Sequence, residues 1–98
     1  MSTIFTKIIN REISGHILAE DENFIAFLEI MPVTKGHVLL IPKEHFPTVY
    51  DVSKEVGAAY FSVIQKLEKA LMKAFEPRKV AMAVWGEDVA HAHIHLIP

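Results

Sequence analysis

A chain of 98 residues with 10 basic and 12 acidic side chains, and a formal net charge of −2, has room for one domain with one modest core. Neither sign forms a block of five or more and no apolar run approaches the ~18–20 residues of a membrane span, so neither nucleic acid nor a membrane is an expected partner. The absence of cysteine excludes disulfides, thiolate metal sites and a cysteine nucleophile.

The opening "MSTIFTKIINRE" turns polar too early for a signal peptide, which reads as a cytoplasmic protein. Within it, Ile4, Phe5, Ile8 and Ile9 fall on one face of a short helix, with Ser2 or Thr3 as its N-cap. "GHILAE" and "NFIAFLEI" read as two strands around a turn near Asp21–Asn23. In the second, Phe24, Ala26, Leu28 and Ile30 share one face, and Ile25, Phe27 and Glu29 the other. "HVLLIP" is a third strand, with His37, Leu39 and Ile41 opposite Val38 and Leu40, closed by Pro42.

"SKEVGAAYFSVIQKLEKALMKAF" carries the clearest signal. Val56, Tyr60, Val63, Ile64, Leu67, Leu71, Ala74 and Phe75 recur at steps of three and four, an apolar helical stripe capped by Ser53 and stopped by Pro77. "KVAMAVW" and "AHAHIHLI" then read as two more strands separated by "GEDV". The order predicts an α+β fold: a five-stranded antiparallel sheet with one short N-terminal and one long central helix, in a single domain spanning 1–98. Sheet edges left open by so short a chain favour a homodimer in which the sheet continues across the interface.

Three of the six histidines sit at alternate positions near the end, in "HAHIHLIP". On a strand His91, His93 and His95 form a row, while Ala92, Ile94 and Leu96 turn toward the helical stripe. Such a row can be a solvated sheet face, a zinc site or a catalytic site. One ion cannot reach all three imidazoles, which span about 13 Å when ligand bonds are near 2 Å. Two of them could bind zinc with help from His37 or His45. As catalysts, imidazoles can supply a nucleophile, charge stabilisation on phosphate oxygens and a proton for a leaving group, with no metal.

"HAHIHLI" resembles the His-φ-His-φ-His-φ-φ motif, with φ apolar, that names the histidine triad (HIT) superfamily. "IFTKIINREISGHILAEDENFIAFLEIMPVTKGHVLLIPKEH" is similar to the N-terminal half of its small nucleotide-binding branch. The resemblance implies a HIT-like fold, dimerising through the long helix and adjoining strand. It implies hydrolysis or transfer of nucleotidyl groups at the α-phosphate of purine nucleoside phosphoramidates or dinucleoside polyphosphates. On that likeness His93 is the nucleophile that forms a covalent nucleotidyl intermediate, His95 binds phosphate oxygens or the leaving group, His91 holds the hydrogen-bond network, and His37 is the fourth pocket histidine. The nucleoside pocket maps to Ile4, Phe5, Ile8, Phe27, Glu29 and Ile30, with Glu29 on the ribose hydroxyls and Asp88 nearby. No cofactor is implied. A nucleotide-binding sensor or scaffold with little catalysis is the alternative.

The sequence departs from the family pattern in several places. Thr3 and Thr6 stand where many bacterial relatives carry a zinc-binding Cys-x-x-Cys, leaving His45 and His91 as an incomplete ligand pair, so no zinc is expected. Glu29 replaces a shorter ribose-binding aspartate. In "WGEDVAH", Trp85 stands near a usual asparagine, and Glu87 and Asp88 fall where phosphate donors are expected. Carboxylates repel a phosphate unless they point away or meet a cation, which puts polyphosphates in doubt and favours a substrate bearing a positive group or weak activity. Relatives usually continue past the position of Pro98 with a tail that helps set specificity.

Overall fold

In the computed structural model, which describes residues 3–98, the chain begins with a short helix, α1, Ile4–Ile9. Thr3 caps it: its hydroxyl accepts from the Thr6 amide, and the Thr6 hydroxyl accepts from the Thr3 amide, both at 3.2 Å. The other candidate cap, Ser2, lies outside the described residues. Arg11, just past the helix, pairs with Glu20 and so ties α1 to the first strand.

Five strands follow: β1 Ile17–Glu20, β2 Phe24–Leu28, β3 Val38–Pro42, β4 Ala81–Ala83 and β5 Ile94–Ile97. They form one sheet in the order β1-β2-β3-β5-β4, with every neighbouring pair antiparallel. The β1–β2 turn is tied by Asp21, whose Oδ1 accepts from the amides of Asn23 and Phe24 at 2.8 Å. Between β3 and β4 runs the long helix α2, Lys54–Phe75, capped by Ser53. It ends at Glu76, which takes a left-handed conformation (φ 50°), and Pro77 cannot continue it.

The two-residue period of the strands separates the core into two faces. Phe24, Ala26, Val38, Leu40, Ile94 and Leu96 meet the α2 stripe at Tyr60, Ile64 and Leu71. Ile25, Phe27, Leu39 and Ile41 turn the other way, onto Phe5 and Ile8 of α1. The buried Tyr60 hydroxyl donates to the Leu40 carbonyl at 2.5 Å, which satisfies a polar group inside the α2 face. At the far end of α2 the Phe75 ring covers Gly36, which has φ +87°. A Cβ there would lie 2.5 Å from the ring, so the close approach depends on glycine. This contact fixes the turn that delivers His37 to the start of β3.

Both C-terminal strands are shorter than the alternation predicts. β4 covers only Ala81–Ala83 of the expected 79–85, and β5 only Ile94–Ile97 of the expected 90–97. Before Ile94 the chain leaves the β4 edge, and the Ala92 amide donates to the Phe46 carbonyl at 2.6 Å. Ala83↔His95 is therefore the last pair, and Val84 and Trp85 have no partner strand. Strand β2 likewise stops at Leu28, so Ile30 does not share the helix-facing side of Phe24 and Ala26.

Candidate functional site

The row of histidines expected on one strand is divided. Only His95 lies in β5; His91 and His93 precede it, held by their own hydrogen bonds. All three, with His37, are buried to at least nine-tenths. Ala92 between them is also buried, and Ile94 and Leu96 join the α2 core.

Hydrogen-bond partners assign the ring protons. The Val33 amide must donate, so His37 Nδ1 accepts at 3.1 Å. Burial lowers the His37 pKa, opposed by Glu29, and the neutral ring then carries its proton on Nε2. That N–H donates to His95 Nδ1 at 2.8 Å. His95 is itself neutral: burial, helped by His93 and His37 and opposed by Glu29 and Asp88, brings its pKa down to about 4. Its proton consequently sits on Nε2. A backbone amide at Val33 thus sets the donor atom of His95 through two rings.

His93 has the opposite polarity. Its Nδ1 lies 2.7 Å from the His91 carbonyl, an acceptor, so Nδ1 carries the proton and Nε2 of the neutral ring offers a lone pair. Neither His93 Nε2 nor His95 Nε2 is a sealed, unpartnered atom. A lone pair and an N–H donor are thereby presented by rings 5.3 Å apart. His91 donates from Nε2 to the Pro42 carbonyl at 2.7 Å, which leaves its Nδ1 buried without a partner. Burial lowers its pKa, against the pull of the Pro42 carbonyl. The Phe5 ring meets both His91 and His93 edge to face, at 6.0 and 5.0 Å, and limits their rotation.

His93 and His95 line a cavity of about 220 Å³. Ile4, Phe5, Ile8, Phe27, Glu29, Ile30 and Asp88 line it as well, so every residue mapped to the nucleoside pocket from the sequence surrounds one space. Glu29 is half-buried at the end of β2, where its Oε1 accepts from the Met31 amide at 3.2 Å. Sequence reasoning passed over Ser14, Gly15, Leu28, Leu39 and Val89. Leu39 could have been found from its place beside His37 in the strand alternation; the loop residues carry no periodic signal.

The two carboxylates of the acidic loop are separated: Asp88 lines the His93–His95 cavity, and Glu87 lines a second one that also reaches His93. Trp85 stands edge-on to His95 with ring centroids 4.5 Å apart, a contact the sequence does not announce.

Of the sequence's possible metal ligands, His45 lies against His91 at 5.2 Å between ring centroids and is engaged with the Ala90 carbonyl. Thr3 and Thr6 are engaged with each other in the helix cap. Glu29, His37 and His95 bring ligand atoms within 4.8 Å of one another. The facing His37 and His95 nitrogens, however, have hydrogen-bond spacing at 2.8 Å, whereas a tetrahedral zinc would hold them ~3.3 Å apart.

A buried set of histidines on a five-stranded antiparallel sheet, two of them lining a largely apolar cavity, defines the histidine triad class. The HIT domain model matches residues 10–98, and the chain belongs to that family. It is 40% identical over 100 residues to Protein hit of Bacillus subtilis, covering 97% of this chain and 69% of that one. It is 37% identical to the purine nucleoside phosphoramidase of Escherichia coli, over 97% of this chain and 85% of the relative. Among solved structures, a hypothetical histidine triad nucleotide-binding protein from Sulfolobus tokodaii superposes with a TM-score of 0.94 at 32% identity, covering 98% of this chain and 68% of the other.

Proposed function

We propose that this protein is a nucleotide hydrolase that cleaves purine nucleoside phosphoramidates or dinucleoside polyphosphates at the α-phosphate, with His93 as nucleophile. The observation that carries the reading is the opposed protonation of the two rings: a lone pair on His93 Nε2 beside an N–H donor on His95 Nε2. The first attacks phosphorus, and the second donates to a phosphoryl oxygen as charge gathers there. The bond from phosphorus to the leaving group breaks, and the departing atom takes a proton from solvent. Water then attacks the nucleotidyl-imidazole, releases a proton to solvent and frees His93 Nε2. Two inversions leave the configuration at phosphorus retained. The apolar walls at Ile4, Phe5, Ile8, Phe27 and Ile30 enclose the base and sugar, Glu29 accepts from the ribose hydroxyls, and His91 and His37 hold their neighbours. A relative named as a purine nucleoside phosphoramidase supports the substrate class.

A homodimer belongs to the same proposal. The β4 edge is open, and Phe61 and Met82 are more than half exposed along one groove between α2 and β4. No described helix is long and apolar enough to cross a membrane. A nucleotide substrate and a cysteine-free chain suit a cytoplasmic setting.

His93→Ala tests the mechanism with adenosine 5′-phosphoramidate. The variant is expected to keep its fold and AMP affinity, lose turnover, and form no nucleotidyl adduct in intact-mass spectra of reacting protein. Normal turnover by it would refute the role of His93. The second reading, a nucleotide sensor or scaffold, is favoured by Asp88, whose carboxylate lines the cavity that must hold a phosphate. Binding of AMP by the native protein without hydrolysis of any substrate would support that reading instead.

A further inference from the structure

The cavity lined by His93 and His95 follows a register row of the sheet. Ile17 pairs with Phe27, Phe27 with Leu39 and Leu39 with His95, so the row crosses β1, β2, β3 and β5 in turn. Phe27, Leu39 and His95 line the cavity, and Ser14 and Gly15, just before β1, line its other end. Adjacent strands lie ~4.8 Å apart, so three steps separate the two ends by about 14 Å. The Ser14 segment is held on both sides. The Glu12 amide donates to the Lys7 carbonyl at 2.8 Å, and the Leu28 amide to the His16 carbonyl at 2.9 Å. Gly15 lies against Ile8, where a Cβ would come within 3.3 Å of that side chain.

A nucleotide with its phosphorus at His93 and its ribose at Glu29 lays its base along this row, over Phe27 toward β1. The purine edge furthest from the ribose, N1 and the substituent at C6, then reaches the Ser14 end. A pyrimidine is too short to do so. The other polar side chains of the lining have work elsewhere: His93 and His95 at the phosphate, Asp88 close enough to His95 to raise its pKa, and Glu29 at the ribose. Ser14 supplies the one hydroxyl of the lining. We propose that the Ser14 hydroxyl hydrogen-bonds to the N1–C6 edge of the base and makes this a pocket for 6-amino and 6-oxo purines alike. The inference rests on the nucleoside placement of the hydrolase reading and adds its base preference. The two purine types present opposite polarities at that edge: an amino donor beside an N1 acceptor, or an oxo acceptor beside an N1–H donor. A hydroxyl both donates and accepts and so pairs with either, whereas a carboxylate only accepts and an ammonium only donates.

Calorimetry with adenosine, inosine and cytidine 5′-monophosphates tests the assignment by binding alone. The native protein should bind AMP and IMP with similar Kd and CMP more weakly. Ser14→Ala should weaken AMP and IMP about fivefold each, the worth of one hydrogen bond, and leave CMP unchanged. Ser14→Thr, which keeps the hydroxyl, should retain the native affinities. Unchanged AMP and IMP binding by Ser14→Ala would overturn the proposal. Equal weakening of all three ligands would overturn it too, because Ser14 would then shape the segment and not read the base. A loss confined to one purine would do the same, since it would mean a contact of fixed polarity. If the ratios hold but adenosine 5′-phosphoramidate is not turned over, the hydrolase reading falls and the Ser14 assignment stands. Binding of none of the three would remove both.

Discussion

His95 makes the protein sensitive to acid in a way that can be worked out from its surroundings. Its folded pKa of about 4 lies below the ordinary value of 6.5, because burial disfavours the imidazolium and His93 and His37 add to the effect. The unfolded chain therefore binds this proton first. The stabilisation is complete above pH 6.5 and is lost as pH falls toward 4, where the folded state also protonates. Integrated from pH 7 to 4.5, the loss is roughly 2 kcal/mol for this one ring, allowing for the solvent that reaches the cavity. Urea unfolding at the two pH values measures it, and 2 kcal/mol corresponds to a midpoint shift of about 1 M. His95→Asn removes the titrating group while keeping a polar side chain. The variant is expected to lose about 2 kcal/mol less than the native protein over the same interval. Equal losses in the two proteins would refute the argument and mean that His95 titrates normally in the fold.

Three further outcomes follow from named contacts. His37→Phe removes the N–H that fixes the His95 tautomer, so kcat should drop about 100-fold while AMP affinity, measured by calorimetry, changes little. Gly36→Ala puts a methyl against the Phe75 ring at a positive φ, and thermal unfolding should show a destabilisation of about 2 kcal/mol. Tyr60→Phe deletes the hydroxyl that donates to the Leu40 carbonyl, which should cost about 1 kcal/mol in urea unfolding with no change in kcat, since Tyr60 lies on the α2 side of the sheet.

Much of the fold was legible in the chain because its signals are local. The α2 stripe from Val56 to Leu71, its Ser53 cap and its stop before Pro77 depend on spacing alone and recur in the structure, whereas Ala74 and Phe75, which extend the same spacing, are exposed. The alternation in β2 and β3 sorted Phe24, Ala26, Val38 and Leu40 from Ile25, Phe27, Leu39 and Ile41 correctly, because side chains on a strand must alternate. Strand ends were less legible. A strand extends only as far as its partner, and "AHAHIHLI" alternates regardless of whether a neighbour is present.

The histidines divide in the same way. Their number, spacing and resemblance to a family motif reside in the sequence. What tertiary structure decided is the difference between them. His93 carries its proton on Nδ1 because a bend in the chain brings the His91 carbonyl to it, whereas His95 carries its proton on Nε2 because Val33 reaches it through His37. His37 stands 58 positions away from His95 in sequence, so no local pattern could convey that link. The acidic loop makes the same point: Glu87 and Asp88 are consecutive in the chain, yet folding sends them to different cavities that meet at His93. A sequence determines which chemical groups are available and much of their local geometry. The proton each imidazole holds depends on the atoms that the fold brings beside it.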